Sequence, residues 1–232
     1  MDGCIIQVVN FRIAILPLLF SVTLFPPGGD KPFNPPRATH AKTYPAVEVH
    51  DDEQVSVAID PFDLPDKAAV FRTNYKEHNF LPVRVIISND SDKTLILRDL
   101  TAQYITSRRD KLEPATNDDL YRRLARATKR PDKQSVPLPI PLPKKNKPAV
   151  ATEVLREVDD AMLTPVPVTA HSTYSGFLFF DIAGIEVPEA GAHVFLSGMK
   201  IDGKELFYFD IPLEKYLNHQ PGKTLPELPK SP

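Results

Sequence analysis

The sequence lacks the residues and motifs that mark the common enzyme classes. It has no tryptophan and one cysteine, Cys4, in 232 residues. A single cysteine excludes an intramolecular disulfide and every CxxC metal or redox motif. The six histidines form no H-x-H or HExxH pattern, and there is no G-x-S-x-G elbow or glycine-rich phosphate loop. The sequence therefore predicts no cofactor and shows no recognisable catalytic motif.

An excess of charge of one sign is also missing. The formal net charge is −2, so nothing in the charge balance favours nucleic acid binding. Glycine is scarce, with 9 residues, whereas proline is abundant, with 25. Many prolines lie near the two ends and in residues 131–148, a composition typical of extended linkers around a folded centre. The hydrophobic content of 42% is sufficient for the core of one domain.

Residues 1–30 have the pattern of a signal peptide or a membrane anchor. Arg12 precedes the apolar run 13–25, and Pro26 and Pro27 then end any helix. The run is shorter than the roughly 20 residues of a spanning helix, which favours a signal peptide. We therefore predict export to the periplasm, the cell envelope or the exterior. A retained segment would associate with the membrane through residues 5–25.

The folded centre, residues 46–217, is predicted to be mainly β. Alternating apolar residues predict short strands at 47–50 and 55–59, and Ala68–Tyr75 reads as another. Two β-branched runs around the turn residues 89–92 predict a hairpin over 81–106, with a bulge near Asp99. A Pro-rich leader, 31–45, precedes this domain, and a disordered tail, 218–232, follows it.

The second half of the centre has two further strand signals. Residues 174–182 are almost wholly apolar, which predicts a strand buried on both faces. We expect Phe177 and Phe179 to face an opposing sheet and Phe180 to lie under a helical layer. Residues 193–211 predict a hairpin around the turn Asp202-Gly203.

Residues 107–165 interrupt the β pattern and are predicted to form an insertion with two helices. Thr116 and Asp119 have the spacing of a capping box at the start of the first helix. The second helix is predicted over 151–162, with one apolar side. Between them, the alternating prolines of 131–148 exclude a helix and predict an extended segment. The whole pattern predicts an antiparallel β-sandwich with a two-helix, Pro-rich insertion.

Three stretches carry a resemblance to a known group of proteins: AHSTYSGFLFFDI, which begins at Ala170, AHVFLSG and ELFYFDIPL. Gly176, Phe177 and Phe180 match the Gly-x-x-x-Phe strand of bacterial immunoglobulin-like modules. Residues 46–217 thus resemble exported bacterial immunoglobulin-like β-sandwich proteins of unassigned function. The resemblance implies fold and compartment, and no catalytic residue. The helical insertion and the missing lipid-attachment cysteine depart from that pattern.

An acidic loop is one candidate site. Asp60, Asp63 and Asp66 carry the oxygen ligands that Ca²⁺ prefers, although the loop has neither the glycine nor the distal glutamate of an EF-hand. A solvated loop is the alternative. His171 and His193 are predicted on adjacent strands, where they would be ordinary surface histidines or would need a partner to act.

The insertion supplies a second candidate, a basic surface. Its residues would contact an anionic component of the envelope, such as a polymer or lipid headgroups. A solvated basic helix face is the alternative. The candidate residues are Arg122, Arg123, Arg126, Lys144 and Lys145.

The sequence leaves three functions open. The first is a non-enzymatic exported β-sandwich that acts as an envelope or periplasmic interaction or structural module, with an unknown protein or anionic partner. The second is a carbohydrate- or small-ligand-binding sandwich, which requires exposed aromatic residues such as Tyr174 or Tyr208 on a shared surface. The third is a hydrolase whose site has no recognisable motif.

Overall fold

The computed structural model describes residues 33–128 and 152–219, and within them it is mainly β. The strands are β1 (Val47–His50), β2 (Val55–Pro61), β3 (Phe80–Asn89), β4 (Leu95–Ile96), β5 (Thr101–Ile105), β6 (Lys111–Leu112), β7 (Ser172–Asp181), β8 (His193–Ser197), β9 (Lys200–Ile201), β10 (Lys204–Glu205) and β11 (Phe209–Pro212). The α-helices are α1 (Pro65–Ala68), α2 (Asn117–Thr128), α3 (Thr152–Ala161) and α4 (Glu214–Asn218). None of these helices is long and apolar enough to cross a membrane.

The strands form three antiparallel sheets. The first, which we call sheet A, has the order β1-β2-β3-β7. A small three-stranded sheet, sheet B, has the order β10-β9-β4, and a four-stranded sheet, sheet C, has the order β11-β8-β5-β6. Every strand pair in these sheets is antiparallel.

Inward residues of all three sheets meet in one hydrophobic core. Sheet A contributes alternate residues of β2, β3 and β7, including Val57, Val85 and Phe180. Sheet C contributes alternate residues of β5, β8 and β11, including Tyr104 and Val194. The Tyr104 and Phe180 rings lie 5.1 Å apart across this core. Apolar burial on alternating positions of two sheets is therefore what holds them together.

A second core lies on the outer side of sheet A, under α2 and α3. It is rich in aromatic residues, and Phe177 and Phe179 of β7 belong to it. The sequence-based assignment of these faces is wrong, because Phe180 faces the shared core and Phe177 and Phe179 face the helices. Both faces of β7 are apolar, so a period of two cannot distinguish them. The face is set by the register with β3, in which Leu81 lies opposite Phe180.

The leader also packs on the outer side of sheet A. Ala41 is fully buried against Ala58 and Ile86, and its N–H donates to the Ser88 hydroxyl at 2.9 Å. The buried Arg84 guanidinium donates to the Pro36 carbonyl at 2.7 Å. Residues 33–45, predicted as a leader before the domain, thus cover the part of sheet A that the helices leave open.

The predicted hairpin over 81–106 does not form. Its first strand, β3, pairs with β2 and β7 instead, and all ten of its residues are buried. After the turn at 89–92 the chain crosses to the other sheets, where β4 pairs with β9 and β5 pairs with β8. The predicted bulge near Asp99 is the break between β4 and β5. The strand predicted at 68–75 is wrong as well, because turns and bends fill the stretch between α1 and a 3-10 turn at Tyr75–His78.

Other local predictions are confirmed. Strands β1 and β2 pair around the turn at 51–53, and β9 and β10 pair around Asp202-Gly203. The Thr116 hydroxyl accepts the Asp119 N–H, while the Asp119 carboxylate accepts the Thr116 N–H, both at 3.2 Å. This reciprocal cap begins α2. The predicted strand over 204–211 is split into β10 and β11, and the Pro-rich stretch 131–148 lies outside the described residues.

Candidate binding surface

Sheet C keeps its outer face accessible to solvent. Along β8 and β11, buried inward residues alternate with outward residues that are partly or fully exposed. The register places Phe195 beside Gln103 on one side and beside Asp210 on the other, all on this outer face. Helices and the leader cover the outer face of sheet A, as described above. The outer face of sheet C is therefore the broad sheet surface that the described part of the domain presents.

Aromatic rings gather at the β11 edge of this face. Phe207 is 65% exposed and Tyr208 is 44% exposed, although both are large apolar side chains. Their rings stack on each other with centroids 4.5 Å apart, and the Phe195 ring lies 5.1 Å from that of Tyr208. We call Phe195, Phe207 and Tyr208 the aromatic patch. Exposed apolar side chains that cluster in this way mark interaction surfaces more often than isolated ones do.

His50 fixes the edge of sheet A beside the aromatic patch. Its imidazole stacks on the buried Phe209 ring, with 3.9 Å between centroids. One ring nitrogen lies 2.9 Å from a Glu53 carboxylate oxygen, and the other lies 3.2 Å from a Glu48 carboxylate oxygen. The imidazole therefore lies between the two carboxylates, within hydrogen-bond distance of both.

The same two carboxylates hold the backbone on either side of the exposed aromatic pair. Glu53 accepts the N–H of Phe207 at 3.2 Å, and Glu48 accepts the N–H of Asp210 at 2.5 Å. Strand β1 is the edge of sheet A, and β11 is the edge of sheet C. The contacts therefore join the two sheets at this side and position the patch.

The carboxylates of the predicted acidic loop contact side chains of the fold, among them Lys67. Asp60 forms an ion pair with Lys67, and Asp63 accepts a hydrogen bond from the Tyr216 hydroxyl. The ammonium of Lys67 also lies 3.2 Å from that hydroxyl oxygen. Asp66 lies in the first turn of α1. In the ranges that the structure describes, no three His, Cys, Asp or Glu side chains converge as a metal ion would require.

The predicted basic surface is engaged in contacts within the fold where it is described. Arg122 binds Asp119 at 2.6 Å, and the Thr116 side chain together with this arginine lowers the pKa of the Asp119 carboxyl. Arg123 binds Asp181 and lies 4.8 Å from the centroid of the Phe80 ring. The Arg126 side chain, Lys144 and Lys145 lie outside the described residues.

The predicted neighbours His171 and His193 bind different carboxylates. His171 contacts Asp92 at 2.9 Å, and His193 contacts Asp210. Tyr174, one of the two tyrosines considered for ligand binding, uses its hydroxyl to bind both the N–H and the carbonyl of Thr164. Tyr208 is the one that belongs to an exposed aromatic surface.

A buried carboxylate, Glu157, was missed from the sequence. It accepts the N–H of Arg72 at 2.5 Å and the Tyr75 hydroxyl at 3.1 Å, and it is 2% exposed. Burial, together with this carboxylate, raises the pKa of Tyr75. Glu157 lies three residues after Val154 and one before the buried Val158, so its position on the apolar side of α3 was a readable signal. Its contacts attach α3 to the 71–75 turn, which is a structural role.

The chain matches no family model, no curated protein and no solved structure. The arrangement of its own residues is therefore the basis for assigning a function.

Proposed function

We propose that this chain is a non-enzymatic interaction module, an exported immunoglobulin-like β-sandwich that binds a protein of the cell envelope through the outer face of sheet C. The single observation that carries the proposal is the exposed aromatic patch. Two large apolar rings at 65% and 44% exposure are costly to leave in water. Their burial against a partner would release that cost.

Two observations support the sandwich architecture. Sheets A and C are both four-stranded and antiparallel, and their inward residues share one core. The helices α2 and α3 lie in sequence between β6 and β7 and cover one sheet from outside. This order supports the proposal that the helices are an insertion into an immunoglobulin-like domain. Export rests on the pattern of residues 1–30, which lie outside the described part of the chain.

The asymmetry of the two sheets supports the location of the binding surface. Sheet A is covered by helices on one part and by residues 33–45 on the other. Sheet C carries exposed aromatic rings together with polar residues such as Gln103 and Asp210 on its outer face. Aromatic anchors surrounded by polar groups are the usual composition of protein interfaces.

A carbohydrate-binding sandwich is the second candidate, and one observation favours it. Tyr208 shares its surface with Phe207 and Phe195, as ring stacking on a sugar requires. A neutral oligosaccharide that competes with the protein partner for this surface would support this second candidate.

Loss of the aromatic rings tests the proposed function. The double variant Phe207→Ala/Tyr208→Ala should fold normally, because both side chains are exposed, yet it should lose the partner that co-purifies with the full chain from its own cell envelope. Val187→Ala is the matched control, since Val187 is also an exposed apolar residue, at 45%. Equal recovery of the partner with the double variant would exclude this surface.

A further inference from the structure

The aromatic patch lies beside an acidic cleft. A depression of about 350 Å³ opens between the β1–β2 turn, the 91–93 loop and the β9–β10 hairpin. Leu206, which lines it, directly precedes Phe207. Glu53 lines it as well and accepts the Phe207 N–H. The cleft and the patch therefore form one continuous surface.

Carboxylates outnumber cations in this cleft. Four carboxylates line it, against two lysines, and these residues are Asp52, Glu53, Asp92, Asp202, Lys93 and Lys204. Lys93 is already paired with Asp202 at 2.5 Å, and that hydrogen bond raises the pKa of the lysine. Asp52 is exposed and has no ion-pair partner among the described residues. The cleft thus has more carboxylates than its two lysines can neutralise.

The rim of the aromatic patch is acidic too. Glu205 precedes Phe207 by two residues and is exposed, and Lys200, opposite it on β9, is paired with Asp99. Asp210 follows Tyr208 by two residues and is paired with His193. Glu48 and Glu53 both contact the His50 ring. An aromatic surface edged by carboxylates attracts cations twice, through the faces of the rings and through the carboxylates.

We propose that the segment this surface binds is an extended, basic stretch of a partner protein, with Lys or Arg side chains over the aromatic patch and in the acidic cleft. Charge complementarity carries the choice, since an acidic aromatic surface repels anionic segments and attracts cationic ones. Arginine suits the rings best, because its planar guanidinium stacks on aromatic faces. This inference rests on the proposed function and adds the chemistry of the partner.

The geometry also favours an extended segment over a helix. The patch and the cleft lie along one edge, from Phe195 on β8, through Tyr208 and Phe207, to Leu206 and the β9–β10 hairpin. An extended chain with a cation at every third residue places successive cations about 10 Å apart along such a line. Aliphatic side chains between the cations would cover the exposed rings.

A peptide titration against the full chain tests the proposal. The probe is a fluorescein-labelled peptide, PLRPLKPLR, and the matched control is its neutral counterpart, PLQPLQPLQ. Fluorescence anisotropy should show binding of the basic peptide alone, weakened at about 0.5 M salt, where the Debye length is only a few Å. Phe207→Ala and Glu205→Lys should each raise the Kd, the former about tenfold as expected for an interface anchor, and Val187→Ala should not change it.

Each other outcome overturns the proposal. Equal binding of the neutral peptide would mean that charge is not recognised, and equal binding by Phe207→Ala would place the peptide elsewhere. Binding of a neutral oligosaccharide such as chitohexaose, sensitive to Phe207→Ala, would establish the carbohydrate alternative instead. If no peptide binds while the double alanine variant still loses the envelope partner, the partner is not basic and the proposed function stands. If that variant keeps its partner, the proposed function itself fails.

Discussion

The His50 imidazole stacks face to face on the Phe209 ring, with centroids 3.9 Å apart and planes 11° from parallel. These residues come from the edge strands of two different sheets, β1 and β11. The stack and the flanking carboxylates hold the segment that carries the exposed aromatic rings. Presentation of the aromatic patch therefore depends on a contact between sheets rather than on the local chain.

Replacing His50 should loosen this segment. His50→Phe keeps a ring over Phe209 but removes both ring nitrogens, so the Glu48 and Glu53 carboxylates lose their contacts with residue 50. We expect amide exchange at Phe207 and Asp210 to accelerate and the free energy of unfolding to fall by about 1–2 kcal/mol. Hydrogen-exchange NMR measures the first effect and urea unfolding the second. His171→Phe, at an exposed histidine that contacts Asp92 instead, is the control. Unchanged exchange at both amides in His50→Phe would contradict the role of His50 in holding this segment.

The buried tyrosines predict a loss of stability at alkaline pH. Burial is the main cause that raises the pKa of Tyr75 and of Tyr104, with Glu157 and Glu189 as the next causes. The folded pKa values exceed the unfolded value of about 10. The stability that these two tyrosines contribute is therefore fully present below about pH 10 and is lost as the pH rises above it.

Tyr75→Phe should reduce this alkaline dependence. Above pH 10, each tyrosine that loses its proton only on unfolding lowers the free energy of unfolding by about 1.4 kcal/mol per pH unit. Urea unfolding between about pH 9 and pH 11 should give a shallower loss in Tyr75→Phe than in the wild type. Below pH 9 the variant should be less stable by about 1 kcal/mol, because the hydrogen bond to Glu157 is gone. An unchanged slope would show that Tyr75 is not kept neutral by its surroundings.

Phe179 and Phe180 stabilise different cores although they are neighbours in sequence. Replacing either with Ala should cost about 3–5 kcal/mol, because both are fully buried. The two variants should differ in where exchange accelerates. Phe179→Ala should accelerate amide exchange in α2 and α3 first, whereas Phe180→Ala should accelerate it in β5 and β8. The same pattern in both variants would contradict the division into two cores.

Local signals in the sequence were sufficient for several elements of this fold. The capping pair Thr116 and Asp119, the turn Asp202-Gly203 and the apolar strand around Phe179 each depend on residues close in sequence. The predicted hairpin at 81–106 is wrong because the pairing of its strands depends on residues distant in sequence. Turn residues between two apolar runs indicate that the chain turns, but not that the flanking strands pair, and here β3 pairs with β2 and β7.

The candidate site was predictable only in part. The sequence shows that both faces of 206–211 carry aromatic residues, so a simple core and solvent alternation was already excluded. It does not show that Phe207 is exposed, because exposure depends on which elements cover sheet C. Nor does it bring His50 to Phe209, since a contact between residues so distant in sequence depends on how the two sheets pack.

Gly176 should be intolerant of any side chain. A Cβ at this position would lie 2.6 Å from Leu163 Cα, a backbone atom that cannot move alone. Gly176→Ala should therefore cost about 1–3 kcal/mol or more, as overpacking does. Gly184→Ala is the comparison. Gly184 has φ of +80° and nothing within 4 Å of an added Cβ, so its loss of stability reports backbone strain without a steric clash. Urea unfolding should show the larger loss at Gly176, and equal losses would contradict the close approach.

The central claim is that the outer face of sheet C, at the aromatic patch, binds the partner. Photo-crosslinking in living cells tests it most directly, with a photoreactive phenylalanine analogue placed at Tyr208 or, as the control, at Val187. Both positions are exposed to a similar degree, 44% and 45%, so they differ in location and not in access. We predict a discrete adduct of higher mass from position 208 and none from position 187. An adduct from position 187 alone, or from both positions equally, would contradict the account.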